Sequence, residues 1–320
     1  MLYPYLREIH SPITKTQLRP LSPKCHTVQF SKPLTEKDHE KLASFIVKYP
    51  RIQLRVYGHY FEKCDLGFLR HYPAVRHLAI DVFDLESLDP LSFISPSLKG
   101  LVLGQTKANQ SLSFLQRFPH LRSLYIEGHT KDIAVIQTLS RLEHLTFRSI
   151  TLPDLSLLKP LRNLLSLDIK LGGTTNLDLL PQIGVLRYLE LWMVRGMANL
   201  KPIGSIRTLQ YLFLQDLRNV RRLPSLAGLP LLRRVHLETM KGLTDLQSVA
   251  EAPALEELVV LATRQLEPES FRPFLGHPTL RKARIGLGSV RKNKAVKELL
   301  GLPTADVEFT FKSAGSRTKR

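Results

Sequence analysis

Residues 186–194 read LRYLELWMV, and residues 209–217 read LQYLFLQDL. In both stretches apolar residues occupy the first, fourth and sixth positions, and the two stretches start 23 residues apart. The same spacing occurs ten times, with starts 21 to 25 residues apart. The copies are Val75–Leu78–Ile80, Leu98–Leu101–Leu103, Leu121–Leu124–Ile126, Leu142–Leu145–Phe147, Leu164–Leu167–Ile169, Leu186–Leu189–Leu191, Leu209–Leu212–Leu214, Leu232–Val235–Leu237, Leu255–Leu258–Val260 and Leu280–Ala283–Ile285. The chain is therefore built from one repeated unit.

A second feature recurs in the same frame. Six copies carry a proline two residues before the opening apolar position, namely Pro73, Pro96, Pro119, Pro230, Pro253 and Pro278. Proline fixes φ and donates no hydrogen bond, so it suits the loop that enters a strand. Two features in one frame make chance periodicity a poor explanation.

The spacing predicts how each unit folds. In a strand the fourth and sixth positions point to the same side, and they are expected to point inward. One copy cannot bury its apolar side, but stacked copies can. The segments that return between strands contain Pro153, Pro160, Pro202, Pro224 and Pro268. Because proline disfavours helix interiors, we expect short 3₁₀ or extended segments there.

With these repeats the chain resembles the leucine-rich-repeat family, firmly over about residues 70–290. The resemblance implies an α/β repeat fold, a right-handed solenoid (horseshoe) with a parallel concave β-sheet and short convex segments. One position departs from the family pattern, which often has Asn three residues after the last apolar position. Here that place holds Phe83, Thr106, His129, Ile150, Gly172, Val194, Leu217, Met240 and Thr263. We therefore expect apolar packing to hold the turn in about half of the copies.

The two ends of the chain are expected to cap the repeats, which we place at 71–288. Residues 1–70 are predicted to form irregular, more helical N-terminal capping units. These contain strands at 26–30 and 52–58, a helix at 35–48 with Thr35 as its N-cap, and a short helix within 60–71. Residues 289–311 are predicted to form a C-terminal cap, with a helix at 290–300 that ends at Gly301 and a final edge strand at Val307–Phe311. Residues 312–320 are predicted to be a disordered basic tail.

Composition restricts the classes of function. The formal net charge is +18, and residues 281–320 hold 11 Lys/Arg against 3 Asp/Glu. Such an excess favours acidic partners, namely nucleic acid, an anionic membrane surface or an acidic protein. The chain has two cysteines, Cys25 and Cys64, and no long apolar run or secretory signal. We therefore predict no disulfide framework, no membrane span and a cytoplasmic location.

Catalytic patterns are missing from the sequence. It contains no P-loop, no dinucleotide-binding glycine pattern, no HExxH and no GxSxG. The histidines are scattered, and His77 and His144 stand at the same repeat position three copies apart. Cys64, within FEKCDLGFL, is expected to be buried packing. The sequence thus predicts a non-enzymatic protein without metal or cofactor.

One group of outward positions on the predicted concave sheet is rich in aromatics. We predict that it binds a protein partner; the group is Tyr188, Glu190, Trp192, Tyr211, Phe213, Arg234 and His236. Large aromatics on an exposed sheet are typical of interface hot spots. The alternative is that they pack on one another and on a flanking loop. The predicted function is a monomeric interaction module, acting as a stoichiometric inhibitor such as a toxin-neutralising immunity protein, or as a regulatory subunit.

A second hypothesis concerns the basic C-terminal cap. Nucleic acid or anionic lipid is the alternative partner, and the candidate residues are Arg281, Lys282, Arg284, Arg291, Lys292, Lys294 and Lys297. The competing interpretation is a solvated end cap that keeps an edge strand from aggregating.

Overall fold

The fourth and sixth repeat positions form the core, as the spacing predicts. In the first nine copies these side chains are at most 2% exposed, and in the tenth they are half-buried. The computed structural model describes residues 5–58, 63–307 and 311. It contains two compact units, residues 1–146 and 147–320.

Strands and short helices alternate along the described residues. The strands are β1 Leu6–Glu8, β2 Thr27–Phe30, β3 Gln53–Gly58, β4 His77–Val82, β5 Gly100–Leu103, β6 Ser123–Glu127, β7 His144–Arg148, β8 Ser166–Lys170, β9 Tyr188–Trp192, β10 Tyr211–Gln215, β11 Arg234–Glu238, β12 Glu257–Leu261 and β13 Lys282–Gly286. The α-helices are α1 Glu36–Ile46, α2 Gln247–Ala250 and α3 Val290–Leu300. The 3₁₀ helices are Gly67–His71, Asp89–Phe93, Ser113–Arg117, Ile133–Thr138, Ser156–Leu158, Leu180–Gln182, Lys201–Ser205 and Pro268–Phe274. Short 3₁₀ return segments were expected from the prolines, and this is confirmed.

In the first unit, β1 to β6 pair in parallel and in chain order. The predicted helix lies between β2 and β3, and the Thr35 hydroxyl accepts from the Asp38 backbone N–H at 3.3 Å. Within 60–71, residues 63–71 include the 3₁₀ helix Gly67–His71, while 60–62 lie outside the described residues. Strand β1 was missed because its three residues carry no repeat pattern.

In the second unit, β8 to β13 also pair in parallel and in chain order. The register is strict, so Leu189 lies beside Leu212 and Leu212 beside Val235. All three side chains are at most 2% exposed. Removal of one such leucine to alanine typically costs about 2–5 kcal/mol, so this ladder dominates the stability of the unit.

The turn after each of the strands β8 to β12 uses a left-handed residue in place of an asparagine side chain. Strands β8 to β12 are followed by residues with φ between 49° and 57°, namely Leu171, Met193, Asp216, Thr239 and Ala262. The N–H of each still donates to the neighbouring strand; Thr239, for example, donates to the Leu261 carbonyl at 2.8 Å. The left-handed conformation therefore keeps the ladder of hydrogen bonds intact into the turn.

Apolar side chains fill the position of the family asparagine, as expected for about half of the copies. Four of them are at most 3% exposed, namely Ile150, Val194, Leu217 and Met240. His129 is a polar substitute, because its Nε2 lies 3.1 Å from the Gly104 carbonyl and its Nδ1 accepts from the Gln110 N–H at 3.3 Å. Packing or a histidine thus replaces the amide.

The C-terminal end begins as predicted, with α3 Val290–Leu300 capped by Gly301 at φ 63°. Residues 303–305 then lie beside β13, where Ala283 donates to the Pro303 carbonyl at 2.9 Å and accepts from Ala305. Val307 and Phe311, the ends of the predicted edge strand, lie in no strand. Residues 308–310, and the predicted tail at 312–320, are outside the described residues.

The left-handed turns lead to a test of stored strain. A β-branched residue in this region is strained by about 1 kcal/mol or more, and glycine adopts it freely. We expect Thr239→Gly to raise the free energy of unfolding by about 1 kcal/mol, measured by urea denaturation. Asp216→Gly is the matched control and should gain less, because Asp tolerates this conformation. A Thr239→Gly chain that is less stable than the parent would contradict the idea.

Candidate protein-binding face

The register of β9, β10 and β11 brings the predicted partner-binding residues into rows. On the face opposite the leucine ladder, which we call the concave face, Tyr211 lies between Tyr188 and Arg234. Phe213 lies between Glu190 and His236 in the next row. All seven predicted residues therefore lie on three neighbouring strands.

The aromatics of the group are half-buried, whereas its charged and imidazole groups are buried. Glu190 and His236 are 7% exposed and Arg234 is 5% exposed. The face is thus a layer of packed side chains and differs from the open surface that sequence alone suggests.

Glu190 is the centre of one polar cluster. It accepts from the Tyr188 hydroxyl at 3.0 Å, and the Lys170 ammonium lies 3.0 Å from its other oxygen. Burial, together with the Glu190 carboxylate, raises the pKa of Tyr188. The phenol therefore stays protonated and serves as a fixed hydrogen-bond donor.

Arg234 is held by groups on two sides. Its guanidinium pairs with the Glu257 carboxylate on β12 and also donates to the backbone carbonyls of Asp306 and Val307. The planar guanidinium therefore donates to a charged carboxylate and to neutral carbonyl oxygens at the same time. Arg234 therefore connects the sheet to the C-terminal end of the chain.

His236 stacks on Phe213, with ring centroids 4.2 Å apart and planes 18° apart. Burial, followed by the charge of Arg234, lowers the pKa of His236 to about 4, so the imidazole is neutral at pH 7. Its Nε2 lies 3.3 Å from a Glu238 oxygen without the geometry of a hydrogen bond. Among the described residues this buried nitrogen has no hydrogen-bond partner.

Trp192 lies at the edge of the group. The guanidinium carbon of Arg148 is 5.3 Å from the centroid of its ring, a cation–π arrangement.

In the same row Gln215 donates to Glu238 at 3.3 Å. Burial raises the pKa of Glu238.

The chain's own C-terminal segment is residues 303–311, and its described residues, 303–307 and 311, lie against this face. The Phe311 ring is 5.5 Å from the Tyr188 ring and 5.8 Å from the Tyr211 ring. Arg284 donates to the Ala305 carbonyl at 2.7 Å. The aromatics therefore pack on a flanking segment, as the alternative to partner binding had it. A cavity of about 270 Å³ lies between Val307 and the sheet.

Three contributors to this face lie outside the predicted group: Lys170, Val307 and Phe311. Lys170 follows the alternation of β8 and was detectable from the repeat frame. Val307 and Phe311 belong to a segment outside that frame, where an alternating apolar pattern suggested a strand at the sheet edge.

The predicted basic group is divided between β13 and α3, with Arg281 directly before β13. Two of its members are engaged in contacts within the protein. Arg284 donates to the Ala305 carbonyl, and the Lys292 ammonium lies 2.5 Å from Glu267 and 3.2 Å from the Arg264 carbonyl. The exposed members are Arg281, Lys282, Arg291, Lys294 and Lys297. Lys282 and Lys294 each lie 3.8 Å from a glutamate, Glu257 and Glu298 respectively.

Other chemical groups are accounted for by packing. Cys64 is buried, as expected, and burial raises the pKa of its thiol to about 11. Within residues 5–58, 63–307 and 311, no three His, Cys, Asp or Glu side chains are arranged to hold a metal ion. In the same ranges no helix has the length and apolar character needed to cross a membrane.

The pKa of His236 leads to a pH test. Because its folded pKa lies below the ordinary 6.5, protons bind the unfolded chain preferentially between pH 6.5 and about 4. Stability should therefore fall as pH drops through this window. His236→Phe keeps a ring against Phe213 and should lose less stability between pH 7 and pH 5, measured by urea denaturation at each pH.

Glu238, the other titrating neighbour of His236, has a raised pKa and so contributes the opposite pH slope. Glu238→Gln is accordingly the control, and it should keep the acid-induced loss. Equal acid sensitivity of the parent and His236→Phe would rule out the imidazole as its source.

Comparison with known proteins supports the fold. No protein-family model and no curated protein sequence matches this chain.

Among solved structures, an internalin from Listeria monocytogenes is similar over 90% of this chain and 82% of its own, with 17% identity and a TM-score of 0.54. A leucine-rich-repeat protein from Leptospira interrogans is similar over 88% of this chain and 90% of its own, with 13% identity and a TM-score of 0.48. The functional domain of a second Listeria monocytogenes protein, InlJ, is similar over 87% of this chain and 63% of its own, with 13% identity and a TM-score of 0.46. With the in-register parallel strands and the buried repeat leucines, the internalin likeness shows that this chain has the leucine-rich-repeat fold.

Proposed function

We propose that this protein binds a protein partner on the concave face of its second unit and catalyses no reaction. The observation that carries the proposal is the group of half-buried aromatics around a cavity lined by buried His236 and Arg234. Convergent aromatic and polar groups beside a cavity are what protein interfaces use as anchors.

The core beneath this face supports the proposal. Leu189, Leu212 and Val235 are already fully packed on the opposite side of the same strands. The apolar core is therefore complete without the aromatics, which stabilise the sheet only through their cross-strand pairs. Their concentration on three strands favours a role in recognition.

Polar contacts among these side chains support a preorganised site. The Lys170–Glu190 and Arg234–Glu257 pairs fix the charged groups, and the Tyr188 hydroxyl is fixed on Glu190. A partner that binds here does not have to order these side chains, so it loses less entropy on binding. Such a face suits tight stoichiometric binding.

The specific role that we favour is a stoichiometric inhibitor, such as a toxin-neutralising immunity protein, or a regulatory subunit, in the cytoplasm. We expect the unbound protein to be a monomer. The basic group on β13 and α3 supports nucleic-acid binding less well, because Arg284 and Lys292 are engaged within the protein.

The proposal is tested with Trp192→Ala combined with Phe213→Ala. The immobilised 320-residue chain should capture a partner from extracts of its native host, and mass spectrometry identifies it. We expect the double variant to reduce capture at least tenfold, because anchor aromatics contribute about 2 kcal/mol or more each. Its unfolding midpoint in urea should change little.

The matched control removes two outward aromatics from the first unit, Tyr57→Ala with Tyr125→Ala. This variant should capture as the parent does. Unchanged capture by a folded Trp192→Ala and Phe213→Ala chain would refute the proposed face.

A further inference from the structure

The C-terminal segment makes contacts of the kind that a bound peptide makes. We propose that it is an internal ligand of the concave face, and that the partner replaces it with a segment that bends in the same way and carries an aromatic side chain. The inference rests on the proposed function and adds the chemistry of the partner. It follows from the backbone contacts, the aromatic contact and the unfilled space beneath the segment.

The backbone contacts require no particular sequence. Arg284 donates to the carbonyl of residue 305, and Arg234 donates to those of residues 306 and 307. Both arginines point from the sheet to main-chain oxygens, which every sequence has. The two successive carbonyls can both face Arg234 because the chain bends at Val307. A foreign segment in this conformation can therefore accept the same hydrogen bonds.

The aromatic contact supplies the selective part. Phe311 lies against Tyr188 and Tyr211, which are neighbours in the register of β9 and β10. The two phenol rings give a ligand aromatic one tilted and one edge-on contact, a favourable arrangement for such pairs. A matching ligand therefore has two successive main-chain carbonyls that accept hydrogen bonds from Arg234. Its aromatic side chain lies four residues after the second of these carbonyls.

A pocket borders the described part of the internal segment. Beneath Val307 a cavity of about 270 Å³ is bordered by Phe213, His236 and Glu238. The buried Nε2 of His236 has no hydrogen-bond partner among the described residues. Because protein interiors are normally close-packed and buried polar atoms are normally paired, this fit is poorer than that of a core.

A better ligand would fill this space with a small polar side chain, such as serine, threonine or asparagine, that hydrogen-bonds to His236. The partner's net charge matters less, since Arg234 and Lys170 are already paired with Glu257 and Glu190. The fitted partner is therefore a protein segment with the same bend, an aromatic anchor and a small polar residue at the place that Val307 occupies.

Tethering explains why the internal segment holds the site despite its imperfect fit. A segment joined to α3 through a few residues is present at a high effective concentration over the face. A free peptide must exceed that concentration to compete. Weakening the internal anchor should therefore open the site without altering the sheet.

The test uses the 320-residue chain and a fluorescein-labelled peptide of residues 303–311, PTADVEFTF. Fluorescence anisotropy should show the peptide binding at least tenfold tighter to the Phe311→Ala chain than to the parent. Adding Tyr188→Ala and Tyr211→Ala to that chain should abolish the gain. A peptide with alanine at its last position should bind at least tenfold more weakly.

The matched control is Phe93→Ala, which removes an exposed phenylalanine from the first unit. It should leave peptide affinity at the parent level. Equal affinity of the peptide for the parent and the Phe311→Ala chain would overturn the inference. So would a parent dimer that becomes a monomer on Phe311→Ala, because the segment would then serve a second copy.

The two proposals fail in different ways. The proposed function stands if Trp192→Ala with Phe213→Ala loses partner capture. If the peptide also fails to bind the Phe311→Ala chain, the internal ligand is overturned while the proposed function is kept. Peptide binding with unaltered capture by that double variant would support the internal ligand and refute the partner face.

Discussion

The in-register stacking of the leucines is the constraint on which the rest of this structure depends. Parallel strands must lie about 4.8 Å apart, and the buried ladder of Leu189, Leu212 and Val235 permits one alignment. A slip by one residue would expose every leucine. The alignment that satisfies the core also places Tyr188 beside Tyr211 on the opposite face, so core packing determines the geometry of the candidate site.

This constraint also explains what could be predicted from sequence. Alternation and period are local, so the strands, the helix capped by Thr35 and the rows of the concave face follow from residue spacing. The contact of Phe311 with Tyr188 joins residues far apart in the chain and outside the repeat frame. No periodic signal encodes it, and the apolar alternation near the C-terminus suggested an edge strand instead.

The turns show where the repeat tolerates variation. A left-handed residue after each of the strands β8 to β12 preserves the hydrogen-bond ladder, and this depends on backbone geometry more than on side-chain identity. The following position needs only a group that fills the interior, which Leu217 and Met240 do by packing and His129 does by hydrogen bonds. Loss of the family asparagine is therefore compatible with an unchanged fold.

An aromatic recognition face creates a problem for the unbound protein, because exposed apolar clusters promote unspecific association. Contact of Phe311 with Tyr188 and Tyr211 reduces this exposure. The cost is a weaker apparent affinity for the partner, because only the molecules whose face is uncovered can bind it. Only a ligand that makes better contacts than the internal segment displaces it. Under the proposed function, the cavity beside His236 is where a partner would gain that advantage, so cover and selectivity would have the same structural origin.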